Sequence, residues 1–333
     1  MGDVAMTVPV LLALTEKYPD LKITFLTKPF FAPIVSAVPN IQVFNADVKG
    51  AYKGLIGIWK LFKELKSLDL DAVADVHNVL RSNILKVFFR FSGIPFEQID
   101  KGRKEKRELI SGNATELKPL KPMHQRYQSV FERLGFHFSI NKNHVLKSRT
   151  KTSEHVIGIF SGTKKIIGIA PFAAFPGKIY PRTLMEILIS KLESMEDVKI
   201  VLFGGGQKER DILEDYEIKF ANCISVAGKI TFGEELELIS NLDVMISMDS
   251  GNGHLAAMYG VSVITLWGVT HPATGFVPFG QPEENQITSD RGKYPKIPTS
   301  VYGNKFPPGY DAVMETISPE QIVRRVKNIL EKV

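Results

Sequence analysis

The chain has 333 residues, 44% hydrophobic and 23% charged, enough for two domains of about 150 residues with real cores, and this composition excludes disorder and fibrous repeats. Its single cysteine, Cys223, excludes an internal disulfide and a cysteine-rich zinc site, no run approaches the roughly 18 apolar residues of a membrane helix, and no basic stretch precedes an apolar signal core. A cytoplasmic protein is expected, soluble or held at a membrane surface. The net charge of +6 is uneven, since residues 1–150 hold 23 Lys and Arg against 14 Asp and Glu, a balance of +9, and the remainder comes to −3. The first half therefore favours anionic company: nucleic acid, anionic lipid or a phosphorylated acceptor.

In chain order, β-branched apolar runs alternate with helical periodicity, the pattern of parallel α/β sheets. In the first half Val4–Glu16 and Leu55–Leu65 read as helices, and Leu21–Leu26, Ile41–Phe44 and Asp71–Val76 as strands. The chain opens directly on a helix where a parallel α/β lobe normally has a central strand, so either the lobe is unusual or, as is expected, a strand and turn of about 10 residues precede Met1. The polar stretch Asn141–Lys165, interrupted only by the apolar run Val156–Phe160, suits a domain boundary. Beyond it, Ile166–Pro171, Val198–Phe203, Cys223–Val226, Asp243–Met248 and Val261–Leu266 read as strands. Gly280–Tyr310 lacks periodicity and reads as a long surface loop. Ser318-Pro319-Glu320-Gln321 caps a last helix. The expected division is residues 1–150, residues 151–315, and a terminal helix, 316–333, of the kind that crosses back to the first lobe in many two-lobed α/β enzymes.

The strongest chemical signal is Asp249-Ser250-Gly251-Asn252-Gly253-His254, between a buried strand and the helix opened by Leu255-Ala256-Ala257. Ligands of open α/β sheets bind beyond the carboxyl ends of the strands. Small residues there admit a phosphate to backbone N–H groups at the positive end of a helix. On this reading Asp249 holds sugar hydroxyls and Ser250 and Gly251 donate to a diphosphate; the alternative is that Asp249 or Ser250 merely caps the helix while His254 packs on the sheet. Lys178, in the loop after Ile166–Pro171, can neutralise a departing diphosphate without a metal ion, or be a solvated lysine. Gly204-Gly205-Gly206 ends another strand and fails as a dinucleotide fingerprint, but it can admit a nucleoside, with Glu209 either accepting from ribose hydroxyls or simply solvated.

In the first half, Asp3 can act as a general base on an acceptor hydroxyl or as a helix cap. Asp75, His77 and Asn78, with Arg81, end a first-half strand and would face the cleft; Asn78 and Arg81 suit an anionic, hydroxyl-rich acceptor, while His77 alone can equally be a satisfied loop histidine. On the helix Lys53–Lys66, Leu55, Ile58, Trp59, Phe62 and Leu65 form an apolar face amid Lys53, Lys60, Lys63 and Lys66. With Lys86–Arg90 and Lys101–Arg107, this suits anionic lipid or a charged acceptor, or else a core helix with a solvated basic face. No metal is expected, because the seven histidines lack ligand spacing and Asp69-Leu70-Asp71 precedes its strand rather than ending one. Walker and nucleophile-elbow motifs are absent.

Taken in order, Gly2-Asp3-Val4 with Thr7-Val8-Pro9, Asp75–Asn78 with Arg81-Ser82, Lys178 before Pro181, Gly204-Gly205 with Glu209, and Asp249-Ser250-Gly251 with His254-Leu255-Ala256-Ala257 resemble glycosyltransferase family 9, the lipopolysaccharide heptosyltransferases. The resemblance covers essentially the whole chain, and its Asp-Ser-Gly element is the most specific part. It departs from the pattern in the absent first strand, in the lack of cysteines in Val301–Val313, and in the loop Pro171–Lys178, which lacks a hydroxyl-rich run. The resemblance implies a GT-B fold, two Rossmann-like lobes with parallel sheets facing a central cleft. It also implies inverting, metal-free transfer of a sugar, heptose in the family, from a nucleotide donor such as ADP-heptose to a lipopolysaccharide-core or related glycolipid acceptor. Carried over, it makes Asp3 the base, Lys178 a donor contact, Glu209 a ribose contact, Asp249 a sugar-hydroxyl contact, and Ser250, Gly251 and His254 the phosphate turn. The expected partners are the donor, an anionic glycolipid acceptor and, peripherally, the cytoplasmic face of the inner membrane, with no nucleic acid and no cofactor. The rival reading is a catalytically impaired nucleotide-sugar-binding protein of the same fold.

Overall fold

The computed structural model describes residues 1–111, 117–162 and 165–332, and the chain divides into two compact units. Asp3–Arg103 and Lys121–Leu146 form the first; Lys104–Leu120 and Lys147–Val333 form the second. Thr163 and Lys164, in the stretch expected to hold the boundary, lie outside the described residues.

The first unit runs α1 (Gly2–Lys17), β1 (Ile23–Thr27), α2 (Ala32–Val35), β2 (Ile41–Asn45), α3 (Gly54–Lys66), β3 (Val73–Asp75), α4 (Leu80–Phe91) and β4 (Phe96–Gln98). After α5 (Arg103–Ser111), most of which groups with the second unit, α6 (Met123–Arg133) completes it. Helix α1 is buried almost all round, from Ala5 through Leu11 and again at Ala13 and Leu14. That burial explains its nearly unbroken apolar sequence, since a helix hydrophobic on every side is enclosed by protein. β1 pairs with β2 and β3 with β4, each pair parallel, and no described strand joins the pairs into one sheet. The short β4 carries no apolar run and was not expected from the sequence. It exists because Val73 N–H donates to Pro95 O and Ile99 N–H to Asp75 O across the β3 edge.

Helices α3 and α4 close over a cluster containing Ile58, Leu61, Phe62, Leu65, Leu85 and Phe89. The expected apolar face of α3 is thereby divided. Ile58, Phe62 and Leu65 share one stripe at i, i+4 and i+7 and are buried, whereas Leu55 and Trp59 stand beside it, exposed.

After α7 (Glu154–Phe160), the second unit is a doubly wound α/β domain: β5 (Lys165–Ala170), α8 (Arg182–Glu193), β6 (Val198–Leu202), α9 (Gln207–Lys219), β7 (Cys223–Ser225), α10 (Phe232–Ile239), β8 (Val244–Met248), α11 (Gly251–Ala257), β9 (Ser262–Trp267), β10 (Gln286–Thr288) and α12 (Pro319–Leu330). Its six strands are parallel in the order β10-β9-β8-β5-β6-β7. β8 is buried at every position and β5 and β9 at all but the first. Such strands read as continuous apolar runs because both faces of a parallel sheet are covered. β10 lies inside the stretch expected to be loop; as a three-residue edge strand paired only to β9 it leaves no periodic signal. The terminal helix α12 belongs to this unit and packs on α8 and β9. Its Ser318 hydroxyl accepts from Gln321 N–H at 3.2 Å, the cap its sequence announces.

Candidate active site

The strand order of the second unit determines where its ligand belongs. From β5 the chain winds outward through β6 and β7, then returns to β8 on the other side and continues to β9 and β10. β5 and β8 are therefore neighbours at the point where winding reverses, and a crevice opens beyond the carboxyl ends of strands at such a point. Lys178 follows β5, Asp249 follows β8 and Thr270 follows β9.

These three side chains meet. Lys178 Nζ donates to Asp249 Oδ2 at 3.1 Å, and Thr270 Oγ1 donates to the same oxygen at 2.9 Å. Lys178 is not the solvated lysine that its loop position allowed: its side chain and that of Asp249 are each only 11% exposed. The loop carrying Lys178 is held by backbone. Val269 N–H donates to Gly177 O at 3.0 Å, and Thr299 N–H to Val269 O at 2.9 Å. A Cβ on Gly268 would stand 2.2 Å from Gly177 O, so only glycine permits this approach. Gly303, at φ +80°, lies against the lysine stem in the same way.

Among the described residues Asp249 Oδ1 carries no hydrogen bond, which leaves an acceptor for a sugar hydroxyl. Ser250 is the N-cap residue of α11, yet its side chain makes no capping bond and its buried Oγ has no partner among the described residues. The simple capping alternative for Asp249 and Ser250 is thus not what the structure contains. Gly251 opens α11, whose first N–H groups lack intrahelical acceptors, and His254 is buried in that turn. A helix N-terminus suits an anion through its backbone N–H groups and the positive end of its dipole.

Glu209 lies in the first turn of α9, and its Oε2 accepts from Gly205 N–H at 2.7 Å. Gly204 is needed for packing, since a Cβ would lie 2.9 Å from Leu213 Cδ1 and 3.3 Å from Glu209 Oε2. Gly205 has open space around it. The turn thus presents a carboxylate and an uncovered glycine at one strand end.

In the first unit, Asp3 sits in the opening turn of α1 with its side chain 58% exposed, 4.0 Å from His77 Nε2. Although the His77 side chain is 59% exposed, partial desolvation holds its imidazole below the ordinary pKa, against the opposing pull of Asp3. Burial likewise lowers the Lys101 ammonium, again with Asp3 opposing. Asp75 and Asn78, grouped with these residues from the sequence, serve the fold. Asp75 Oδ1 accepts from the N–H groups of His77 and Asn78 at 2.9 Å each, and Oδ2 accepts from Gln98 Nε2 at 2.8 Å. Asn78, at φ +46°, donates through Nδ2 to Ile99 O at 2.9 Å. This turn leaves His77 and Arg81 facing outward. Sequence reading does not single out Thr270, Gly268 or Gly303, and it takes Lys101 only as part of the basic run Lys101–Arg107; Thr270 has a usable signal in its place just past the end of a buried strand. Among the described residues no group of three or more His, Cys, Asp or Glu side chains converges as metal ligands.

The fold is of the GT-B type. Over all of this chain and 95% of the other, the crystal structure of the glycosyl transferase family 9 from Veillonella parvula superposes with a TM-score of 0.75 at 19% identity. An Escherichia coli heptosyltransferase WaaC solved with ADP does so with 0.67 at 16%, over 98% and 96% of the two chains. Residues 58–306 match the model of glycosyltransferase family 9 (heptosyltransferase). The lipopolysaccharide core heptosyltransferase OpsX of Haemophilus influenzae is 25% identical over 82% of this chain and 77% of its own. Lipopolysaccharide heptosyltransferase 3 of Escherichia coli K12 is 27% identical over 90% and 87%. The chain belongs to glycosyltransferase family 9, the heptosyltransferase family, and is a glycosyltransferase.

Proposed function

We propose that the chain moves a heptosyl group from an ADP-activated donor to a sugar hydroxyl of a lipopolysaccharide-core or related glycolipid, with inversion and without a metal ion. The carrying observation is the buried Lys178–Asp249–Thr270 cluster at the switch point, with Asp249 directly ahead of the N-terminus of α11. The relatives bear heptosyltransferase names, and one neighbouring structure was solved with ADP. Lys178 opposes the charge of the departing diphosphate, Asp249 Oδ1 accepts from a sugar hydroxyl, Ser250, Gly251 and His254 line the phosphate turn, and Glu209 with Gly204 and Gly205 receives the ribose.

In this reading Asp3 is the base. The acceptor oxygen forms its bond to the anomeric carbon as the bond to the diphosphate oxygen breaks, and the hydroxyl proton passes to the Asp3 carboxylate. His77 and Arg81 contact the acceptor. A glycolipid acceptor is held by a bilayer, so peripheral contact of the basic first unit with the inner membrane belongs to the same reading. The test is transfer by the purified chain from ADP-heptose, compared with UDP- and GDP-sugars, to a delipidated core acceptor, with the anomeric configuration of the product read by NMR. A retained configuration, or turnover only with a non-adenine donor, would sink it.

A further inference from the structure

The first unit carries an exposed apolar surface that its own fold leaves uncovered. On α3, Leu55, Ile56 and Trp59 are 68%, 87% and 44% exposed; on α4, Leu80, Val87 and Phe91 are 78%, 49% and 88% exposed. The two sets are continuous. Trp59 packs edge-on against Phe88 with ring centroids 4.9 Å apart, and Phe88 is one helical turn from Phe91 and Ile84. Leu80, Val87 and Phe91, at i, i+7 and i+11, form one stripe beside Phe88. Exposed large hydrophobics are ordinary singly, but a contiguous set marks a binding surface.

The residues around this surface select its partner. Lys53, Lys60, Lys63, Lys66 and Arg90 are exposed around it, and Lys63 Nζ lies 5.6 Å from the Trp59 ring centroid. The only carboxylate on either helix, Glu64, accepts from the Tyr52 hydroxyl at 2.6 Å and lies 3.9 Å from Lys60 Nζ. Aliphatic and aromatic tips fringed by long cationic side chains match the boundary of an anionic bilayer, where acyl chains take the tips and phosphates the ammonium groups. A protein partner of the same character would have to offer an apolar patch and an acidic rim in one matching outline. A bilayer offers both over any area. A nucleic acid gains nothing from Ile56, Val87 and Phe91.

We propose that the α3–α4 face is a membrane-docking surface for bilayers containing anionic phospholipid, with Trp59 and Phe91 as the inserting residues and Lys60 and Lys63 as headgroup contacts. It deepens the glycolipid-acceptor reading by giving that acceptor's bilayer a place to rest, and its test is independent of catalysis. The full chain would be sedimented with phosphatidylcholine vesicles with and without phosphatidylglycerol while tryptophan emission is followed. The chain has two tryptophans, and Trp267 is fully buried in β9, so a lipid-induced blue shift reports Trp59.

The expected result is binding and a blue shift on the anionic vesicles only. Lys60→Gln with Lys63→Gln should weaken binding roughly thirtyfold, following from the contribution of each basic residue near such a surface. Trp59→Ser with Phe91→Ser should abolish it, while Ile218→Ser, an 86% exposed site in the second unit, should bind as the parent does. All these variants should transfer sugar to a delipidated acceptor at the parent rate. Absence of anionic-vesicle binding, unaltered binding by both double variants, or a concentration-dependent dimer that only Trp59→Ser with Phe91→Ser dissolves and that binds no lipid would each overturn the proposal. The last would assign the face to a second copy of the chain.

Discussion

Lys178 Nζ lies 3.1 Å from Asp249 Oδ2, two residues 71 positions apart brought together because β5 and β8 are neighbours at the reversal of the sheet. Their side chains are equally buried, so each charge depends on the other for solvation. Removing one member strands the other in low dielectric, which costs on the order of 3–5 kcal/mol, whereas removing both leaves no unpaired charge. Lys178→Met and Asp249→Leu should each lower the unfolding free energy of the second unit, and the double variant should be more stable than the sum of the single losses requires. Urea titrations arranged as a double-mutant cycle measure this, and additivity would show that the pair is not coupled. All three variants should lose transfer activity.

Asp3→Asn keeps the shape of the side chain and removes its basicity. If Asp3 accepts the acceptor proton, kcat should fall by about 10²–10⁴-fold while affinity for the donor diphosphate stays unchanged. Single-turnover rates paired with a calorimetric titration of ADP separate the two. Equal loss in both would make Asp3 a structural residue of α1.

Metal-free transfer predicts full activity in excess EDTA and no gain from added magnesium or manganese. A rate that vanishes with chelator and returns with one cation would reassign the stabilisation of the leaving group from Lys178 to an ion.

His271 supplies a pH dependence of stability. Burial, aided by Arg291, lowers its imidazole from the usual 6.5 to about 4, and Nδ1 accepts from Ala273 N–H at 3.1 Å. Between pH about 6.5 and about 4 the unfolded chain binds a proton at this residue that the folded chain does not, so stability is fully present above that window and falls as pH drops through it. His271→Asn, which retains an acceptor for Ala273, should remove about one proton from the difference. Unfolding free energies measured across the window should show a shallower slope for the variant; parallel curves would exclude His271 as the source.

Gly268→Ala tests how the Lys178 loop is held. The new methyl group would meet Gly177 O, and relief requires the loop after β5 to move. Overpacking of this kind costs roughly 1–3 kcal/mol. The larger effect should be on donor KM, since Lys178 is the next residue. A normal KM with reduced stability would mean that the loop shifts without disturbing the lysine.

The second unit was largely legible from sequence because its strands are buried on both faces. Ile166–Ile169, Val244–Met248 and Val263–Leu266 are runs that only a covered parallel strand requires, and Asp249-Ser250-Gly251 follows one of them directly. The edge strands β4 and β10 are not legible, because Phe96-Glu97-Gln98 and Gln286-Ile287-Thr288 carry no apolar run and are held to one neighbour by backbone hydrogen bonds that any sequence can make, whereas the equally short β3 and β7 lie in apolar, β-branched stretches. Periodicity on α3 located an apolar stripe but not its limits, since burial of Leu55 or Trp59 depends on whether another element covers it, and none of their own unit's packing does so fully.

The α/β class and the residue types available at each strand end were readable from the chain alone, as consequences of local pattern. Tertiary structure alone decided which of them share an environment. Lys178 joins Asp249 and Thr270, while Asp75 and Asn78 turn inward to hold their own backbone. A side chain's hydrogen-bond partner is set by strand order and turn geometry, and neither is encoded in the spacing of residues along the chain.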